Sequence, residues 1–119
     1  LDLGVGCIPW SPLARGLVTR DRGAVTTRTD TDLYAKTMYG TANLEILDEV
    51  AAIATERGVS RASVGLAWVS KHPAVTAPIV GVTKPHHLDD AVASLDVTLT
   101  PAEIARLEAP YTPQPVYGI

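Results

Sequence analysis

The chain has 119 residues, of which 46% are hydrophobic and 19% charged, a composition typical of a folded globular domain rather than a disordered segment. This length suffices for one domain with its own core and is too short for two. The net charge of −3 and the scattered lysines and arginines exclude a basic nucleic-acid-binding surface. A single cysteine, Cys7, excludes an internal disulfide and a cysteine-based metal cage, and we expect it to be a small buried residue in a strand.

No apolar run approaches the roughly 20 residues of a membrane-spanning helix, so we expect no membrane association. No signal peptide is visible either, and the predicted location is cytoplasmic. The sequence opens at Leu1, without an initiating methionine, directly in a strand-like run. We therefore expect it to be a piece of a longer protein.

The first organised stretch is a strand followed by a sharp turn. Residues 5–10 form a continuous apolar run that is too short for a helix and predicts a buried strand. Pro12 cannot continue a strand ladder and ends the run. In the turn, Ser11 offers a hydroxyl and Arg15 a cation, so the turn either faces a ligand or is an ordinary strand-to-loop junction with a solvated arginine.

Residues 17–42 show no regular periodicity, and the stretch 25–32 is polar and rich in threonine. A connection of this length is unusual in a compact domain and is typical of a lid or binding loop. Tyr34, Met38 and Tyr39 are its bulky apolar members. They either pack the loop onto the domain or line a substrate pocket.

Two helices follow. Residues 43–57 have helical spacing, with Asn43 as the predicted N-cap, Gly58 as the stop and the acidic side chains on a solvated face. Ser60 is predicted to cap a second helix that runs to about Lys71. Glycine is unfavourable inside a helix, so Gly65 indicates that this helix packs closely against another part of the chain.

Residues 77–90 carry a second strand, turn and helix. Ile79 and Val80 predict a short buried parallel strand, and Gly81 removes a side chain where a ligand can approach. Pro85 suits the first position of a helix. The free N–H groups of that turn, with Thr83 and Lys84 beside them, form either an anion site or a merely structural turn.

The chain ends in a second helix and an extended tail. Leu88, Val92 and Leu95 lie on one helical face, and residues 100–103 are a capping box that starts the last helix. In the proline-spaced tail, Tyr117 and Ile119 are apolar enough to dock onto a surface. The strand and helix order predicts an α/β fold with parallel strands. Because two strands cannot form a sheet with covered faces and edges, we expect the chain to be the end of a larger fold.

Several segments together resemble the aldo-keto reductase family: residues 8–17, 66–69, 76–85 and 95–107. The family is a (β/α)8 TIM barrel that reduces carbonyls with NADPH. The resemblance makes residues 1–119 the C-terminal part of one such barrel domain, with residues 5–10 as the seventh strand and 78–81 as the eighth. Residues 111–118 are similar to a bacterial branch of reductases acting on small aldehydes and ketones.

The resemblance also implies a cofactor site at the C-terminal ends of these strands. The turn after the seventh strand would cover the pyrophosphate of NADPH, with Ser11, Pro12, Leu13, Arg15 and Gly16. The turn after the eighth would hold the 2′-phosphate and adenine end, with Gly81, Val82, Thr83, Lys84, His87 and Asp90. His87 stands where the family usually has Gln, and Ala91 where it usually has Asn, so the adenine is expected to be held more weakly or by different contacts.

The family's catalytic Asp, Tyr, Lys and His all precede the seventh strand, so the resemblance assigns no catalytic residue to this chain. It implies the cofactor-binding part of an NADPH-dependent reductase, whose other partner is a small aldehyde or ketone, and which is inactive as this piece alone. One alternative is a non-catalytic nucleotide-binding module of the same fold. Another is a complete small α/β domain with an unrelated role.

Overall fold

The structure is a computed structural model that describes residues 1–24, 33–40 and 43–113, without the side chains of residues 34–36. The predictions for the threonine-rich stretch 25–32, for the side chain of Tyr34 and for Tyr117 and Ile119 in the tail lie outside the described residues. Among the described helices, none combines the length and apolar character needed to span a bilayer.

The described elements are mainly helical. Two 3-10 turns occupy Ala14–Gly16 and Ser94–Asp96. The α-helices are α1 (Leu33–Tyr39), α2 (Glu45–Arg57), α3 (Arg61–Ser70), α4 (Pro85–Ala93) and α5 (Pro101–Glu108). The prediction of no regular structure over residues 17–42 is wrong for α1, because seven residues are too few for helical periodicity to be visible in a sequence.

The predicted helix ends are largely confirmed. The Ser60 hydroxyl accepts the Ser63 N–H, Gly58 ends α2 with a φ of 66°, and Pro85 opens α4. Thr100 and Glu103 form both halves of the capping box on α5. The start of α2 differs by one residue, since Leu44 is the N-cap and Asn43 instead accepts the Glu45 N–H at 3.0 Å.

Helix α3 lies at the centre of the fold, in contact with α2, α4 and the Ser94–Asp96 turn. Helix α5 packs against α2. The core consists of buried side chains from α2, α3, α5 and the segment before α5: Val50, Ile53, Ala54, Val64, Ala67, Leu99 and Leu107. The core of the described residues is therefore formed by the helices and the segment before α5, and the two predicted turns contribute no buried residue to it.

Gly65 packs closely, as predicted. A Cβ at this position would lie 3.1 Å from both Leu13 Cδ2 and Val18 Cγ1. Those side chains belong to the turn after residue 10, so the small Gly65 allows that turn to rest directly on α3.

The two predicted strands are reduced to isolated parallel bridges, Cys7 with Val75 and Trp10 with Ile79. Three backbone hydrogen bonds join them: Cys7 N to Ala74 O at 2.7 Å, Thr76 N to Cys7 O at 2.8 Å and Ile79 N to Pro9 O at 2.9 Å. Pro9 and Pro78 lack an N–H and interrupt the ladder. The parallel pairing of these segments is present, but the prediction of regular strands is wrong within the described residues.

The predicted burial of these segments is also wrong. Val5, Ile8 and Ile79 are exposed to 68%, 63% and 53%, and Cys7 is an exposed free thiol. The two bridged segments have no further strand beside them among the described residues, so both of their faces are left open. The predicted apolar face of α4 and of the 3-10 turn after it is exposed too, through Leu88, Val92 and Leu95.

Ion pairs fasten α5 to α2 and α3. Arg57 binds Glu103 through two N–H groups at 2.5 and 2.6 Å, and Arg106 binds Glu49 and Glu56 at 2.9 Å. Glu108 accepts from both Lys71 and Trp68 at 2.9 Å. The prediction that the acidic side chains of α2 form a solvated face is therefore wrong for two of its carboxylates, which pair with α5.

These contacts change the acidity of the carboxyl groups. The Arg57 guanidinium, together with the Thr100 backbone N–H, lowers the pKa of Glu103 to about 2. Hydrogen bonding to Arg106 lowers the pKa of Glu56, and hydrogen bonding to Lys71 and Trp68 lowers that of Glu108. In all three cases the donors favour the ionised carboxylate.

Candidate functional site

The two predicted turns meet at one open cavity of about 890 Å³, a volume in the range of small-molecule sites. The turn after residue 10 supplies one part of its lining and the residues around the start of α4 supply another. Helix α2 and the start of α3 complete it. The bridge between Trp10 and Ile79 joins the two turns at their bases.

The first turn has a strained but well-bonded backbone. Ser11, Ala14 and Arg15 have positive φ values of 52°, 49° and 56°, a region that residues with a side chain rarely occupy. The Ser11 hydroxyl accepts the Arg15 N–H at 3.0 Å. Arg20 donates to Gly16 O at 2.7 Å and to Arg15 O at 3.1 Å. These bonds hold a conformation that the backbone alone would disfavour, which is common at binding sites.

The second turn is closed by His87. Its Nδ1 accepts the Thr83 N–H at 3.3 Å and lies 3.4 Å from the Thr83 hydroxyl. An Nδ1 that accepts a backbone N–H belongs to the tautomer that carries its proton on Nε2, so Nε2 is left as a donor. The His86 ring meets the His87 ring edge to face, with centroids 4.5 Å apart.

A chain of hydroxyl groups ties the second turn's helix to α3. The Ser63 side chain, which is buried, donates to the backbone carbonyl of Asp90 at 2.9 Å. Its oxygen also lies 2.9 Å from the Ser60 hydroxyl that caps α3. The start of α3 and the middle of α4 are therefore held together where both border the cavity.

The structure brings nine of the eleven predicted cofactor residues to this cavity. These are Ser11, Pro12, Leu13, Arg15, Gly16, Gly81, Thr83, His87 and Asp90. Val82 and Lys84 lie in the same turn but do not line the cavity, and both are exposed. Their predicted contact with a cofactor stays a prediction.

The cavity also contains polar residues that the sequence did not single out as ligand-binding: Thr19, Thr55, Ser60, Arg61 and His86. Ser60 caps α3, and this role accounts for a serine at the position without any ligand. Arg61 follows that cap at the first position of α3, where an arginine has no distinctive sequence signal. Its position on the cavity follows only from the packing of α3 between α2 and α4.

The lining suits a phosphate-bearing organic ligand. Among the described residues it combines two guanidinium groups, two imidazoles and several hydroxyls with one carboxylate, Asp90, and with apolar surface from Trp10 and Leu13. Cationic and N–H donors bind phosphate oxygens, and apolar surface receives a ring system. The described lining contains neither tyrosine nor lysine, so this part of the chain offers binding groups and no proton donor of the tyrosine type.

Comparison with known proteins shows the family to which the chain is similar. The model of the aldo/keto reductase family matches residues 1–111. A protein named "Putative aryl-alcohol dehydrogenase" from Schizosaccharomyces pombe is 45% identical over 118 residues, which are 97% of this chain and 36% of the relative. Versiconal hemiacetal acetate reductase of Aspergillus parasiticus is 40% identical over 98% of this chain and 35% of its own length.

An aldo-keto reductase of Alternaria alternata is 36% identical over 97% of this chain and 31% of its own length. The chain belongs to the aldo-keto reductase family. The family's fold is the (β/α)8 barrel that the sequence predicts, and the chain spans about a third of the length of these curated relatives. These three relatives are fungal, so the bacterial branch stays a prediction.

Proposed function

We propose that this chain is the C-terminal, cofactor-binding part of an NADPH-dependent aldo-keto reductase that reduces aldehydes or ketones to alcohols. The observation that carries the proposal is that both predicted turns line one cavity, although nearly 70 positions separate them in the sequence. The family membership supports a nicotinamide cofactor, and the cationic lining supports its phosphates.

In this proposal the two turns hold different parts of the cofactor. The turn containing Ser11, Pro12, Leu13, Arg15 and Gly16 covers the pyrophosphate. Gly81, Val82, Thr83, Lys84, His87 and Asp90 hold the 2′-phosphate and the adenine end. The cofactor, when bound, supplies the hydride, and the protein orients it. The catalytic Asp, Tyr, Lys and His are proposed to precede the chain, so this part alone is expected to be inactive.

The substrate is proposed to be an aromatic or other small carbonyl compound, because one relative is named for aryl alcohols and another for a hemiacetal acetate. The test uses the complete protein that contains this chain. NADPH binding is measured by fluorescence titration, and NADPH oxidation is followed after addition of 4-nitrobenzaldehyde. Binding with turnover supports the proposal. Binding without turnover favours the non-catalytic nucleotide-binding module, and no binding of either NADPH or NADH refutes the cofactor site.

The role of Lys84 has its own test. Lys84→Glu is expected to weaken the binding of NADPH more than the binding of NADH, because only NADPH carries the 2′-phosphate that this cation would attract. Arg22→Glu is the matched control, since Arg22 makes an exposed pair with Asp48 and does not line the cavity. Equal losses for the two cofactors would contradict the role of Lys84.

A further inference from the structure

Arg61 occupies a place in the cavity that neither turn motif accounts for. It is the first residue of α3, directly after the Ser60 cap, and it lines the cavity together with Ser60 and Ala62. Its side chain is 27% exposed, which is low for an arginine at a helix start. The guanidinium is thus held close to the protein instead of extending into solvent.

The cavity around Arg61 is rich in donors for an anion. Among the described residues that line it, the ionised groups are Arg15, Arg61 and one carboxylate, Asp90, and His86 and His87 add two imidazoles. Asp21 pairs with Arg61 from outside the lining, so the two guanidinium groups face two carboxylates. The lining would therefore hold an anion through its directed N–H donors.

The described partner of Arg61 does not explain its position. One N–H of Arg61 donates to Asp21 at 2.5 Å, but the Asp21 side chain is 82% exposed. A pair with one well-hydrated member contributes little to stability. Within residues 1–24, 33–40 and 43–113, no second acceptor bonds the Arg61 guanidinium, so donors remain for a ligand.

We infer that Arg61 is a further phosphate-binding residue of the cavity, which donates to a phosphate ester of the ligand and exchanges Asp21 for it. This inference rests on the proposed function. Arginine suits the exchange, because its planar group binds phosphate oxygens through two parallel N–H donors. In the ligand-free protein Asp21 holds the guanidinium at the rim of the cavity, and it competes with the ligand for the same N–H.

The test compares three variants of the complete protein: Arg61→Gln, Asp21→Asn and the control Arg22→Gln. Arg22 follows Asp21 in the sequence, and its exposed pair with Asp48 lies outside the cavity lining. Dissociation constants are measured by calorimetry for NADPH, 2′-AMP and ADP. Arg61→Gln is expected to raise the dissociation constant of NADPH roughly 10- to 100-fold, which is the range for loss of a charge-assisted hydrogen bond. Arg22→Gln is expected to leave it unchanged.

Asp21→Asn decides whether the ion pair competes with the ligand or merely holds the fold. Removing a competitor is expected to tighten NADPH about two- to fivefold. The two fragments show which phosphate Arg61 binds. If Arg61→Gln lowers the affinity for 2′-AMP, Arg61 binds the 2′-phosphate; if it lowers the affinity for ADP, Arg61 binds the pyrophosphate. If Arg61→Gln binds NADPH like the wild type, or Asp21→Asn weakens it as much as Arg61→Gln, the inference is overturned. Wild-type protein that fails to bind NADPH refutes the proposed function instead.

Discussion

Single residues in the first turn set the shape of the cavity. Three residues with side chains adopt positive φ there, each at a cost of about 1 kcal/mol or more. The turn offsets this cost through its own hydrogen bonds and through the contact of Leu13 and Val18 with Gly65. The polar contacts of the turn are therefore needed for its geometry, whatever ligand it holds.

Ser11→Ala tests this dependence. The substitution removes the acceptor of the half-buried Arg15 N–H, so the free energy of unfolding is expected to fall by roughly 0.5–2 kcal/mol. Urea unfolding of the complete protein measures it. Ser70→Ala is the control, because Ser70 is an exposed serine at the end of α3. Equal stability of the two variants would mean that the Ser11 hydroxyl does not hold the turn.

Substitution of Gly81 is expected to affect ligand binding without lowering the stability of the fold. The φ of Gly81 lies outside the left-handed region, and a Cβ there would meet no atom of residues 1–24, 33–40 and 43–113 within 4 Å. The packing of these described residues therefore gives no reason for glycine. Gly81→Ala is expected to leave stability unchanged or to raise it by about 0.4–1 kcal/mol, since alanine restricts the unfolded chain.

The same variant is expected to weaken NADPH, because the new methyl group projects where the proposed ligand approaches the backbone. Thermal unfolding and fluorescence titration of one preparation measure both effects. Gly65→Ala serves as the contrasting variant, since its Cβ would lie 3.1 Å from the side chains of Leu13 and Val18 and would require the first turn to shift. Unchanged NADPH affinity in Gly81→Ala would remove Gly81 from the proposed site.

At the scale of elements, the ion pairs and cap of α5 have a direct consequence for acid stability. Glu103 accepts from Arg57, from the Thr100 N–H and from the Thr100 hydroxyl. Its pKa is lowered from an ordinary 4.5 to about 2. A lowered native pKa means that the stabilising contribution is complete above the unfolded-state value and is lost as the pH falls towards 2.

Glu103→Gln is expected to lose roughly 0.5–1 kcal/mol of stability at neutral pH through the ion pair with Arg57, because a glutamine oxygen can still accept the Thr100 N–H of the capping box. It should also lose less stability than the wild type between pH 4.5 and 2, since the titrating group is gone. Chemical unfolding across this pH range measures both. Asp89→Asn, an exposed carboxyl on α4, is the control. Parallel pH profiles for Glu103→Gln and the wild type would contradict this role of Glu103.

Elements defined by local chemistry were predictable from sequence, and those defined by distant contacts were not. The caps at Ser60 and Thr100 and the stop at Gly58 follow from neighbouring residues, so the sequence shows them. The strands depend on neighbours across a sheet, and Pro9 and Pro78 interrupt their pairing. Arg61 likewise has no local sequence signal, because only the packing of α3 brings it to the cavity.

At the scale of the molecule, apolar surface remains open on the bridged segments, on α4 and on the Ser94–Asp96 turn. Val5, Ile8, Ile79, Leu88, Val92 and Leu95 are all more than half exposed. Exposed apolar surface of this extent is typical of an interaction face. Since the chain spans about a third of the length of its relatives, we propose that the rest of the barrel covers this surface.

The isolated 119-residue polypeptide is therefore expected to be loosely packed or prone to aggregation, because open bridged segments and apolar faces associate with other chains. Size-exclusion chromatography, circular dichroism and hydrogen exchange measure this. A monomer with cooperative unfolding and protected amides would instead favour a complete small α/β domain.

The parallel bridges also have a consequence for the order in which parts of the chain fold. Helices α2 and α3 are joined by three residues and can pair as soon as both exist, whereas Cys7 and Trp10 must find partners about 70 positions away. Closing so long a loop is entropically costly and slow compared with local helix formation. In pulse-labelled refolding, we expect amides of α3 to be protected before those of Cys7, Thr76 and Ile79. The cavity would then be assembled last, so the nascent chain would acquire its ligand affinity only after its helices are in place.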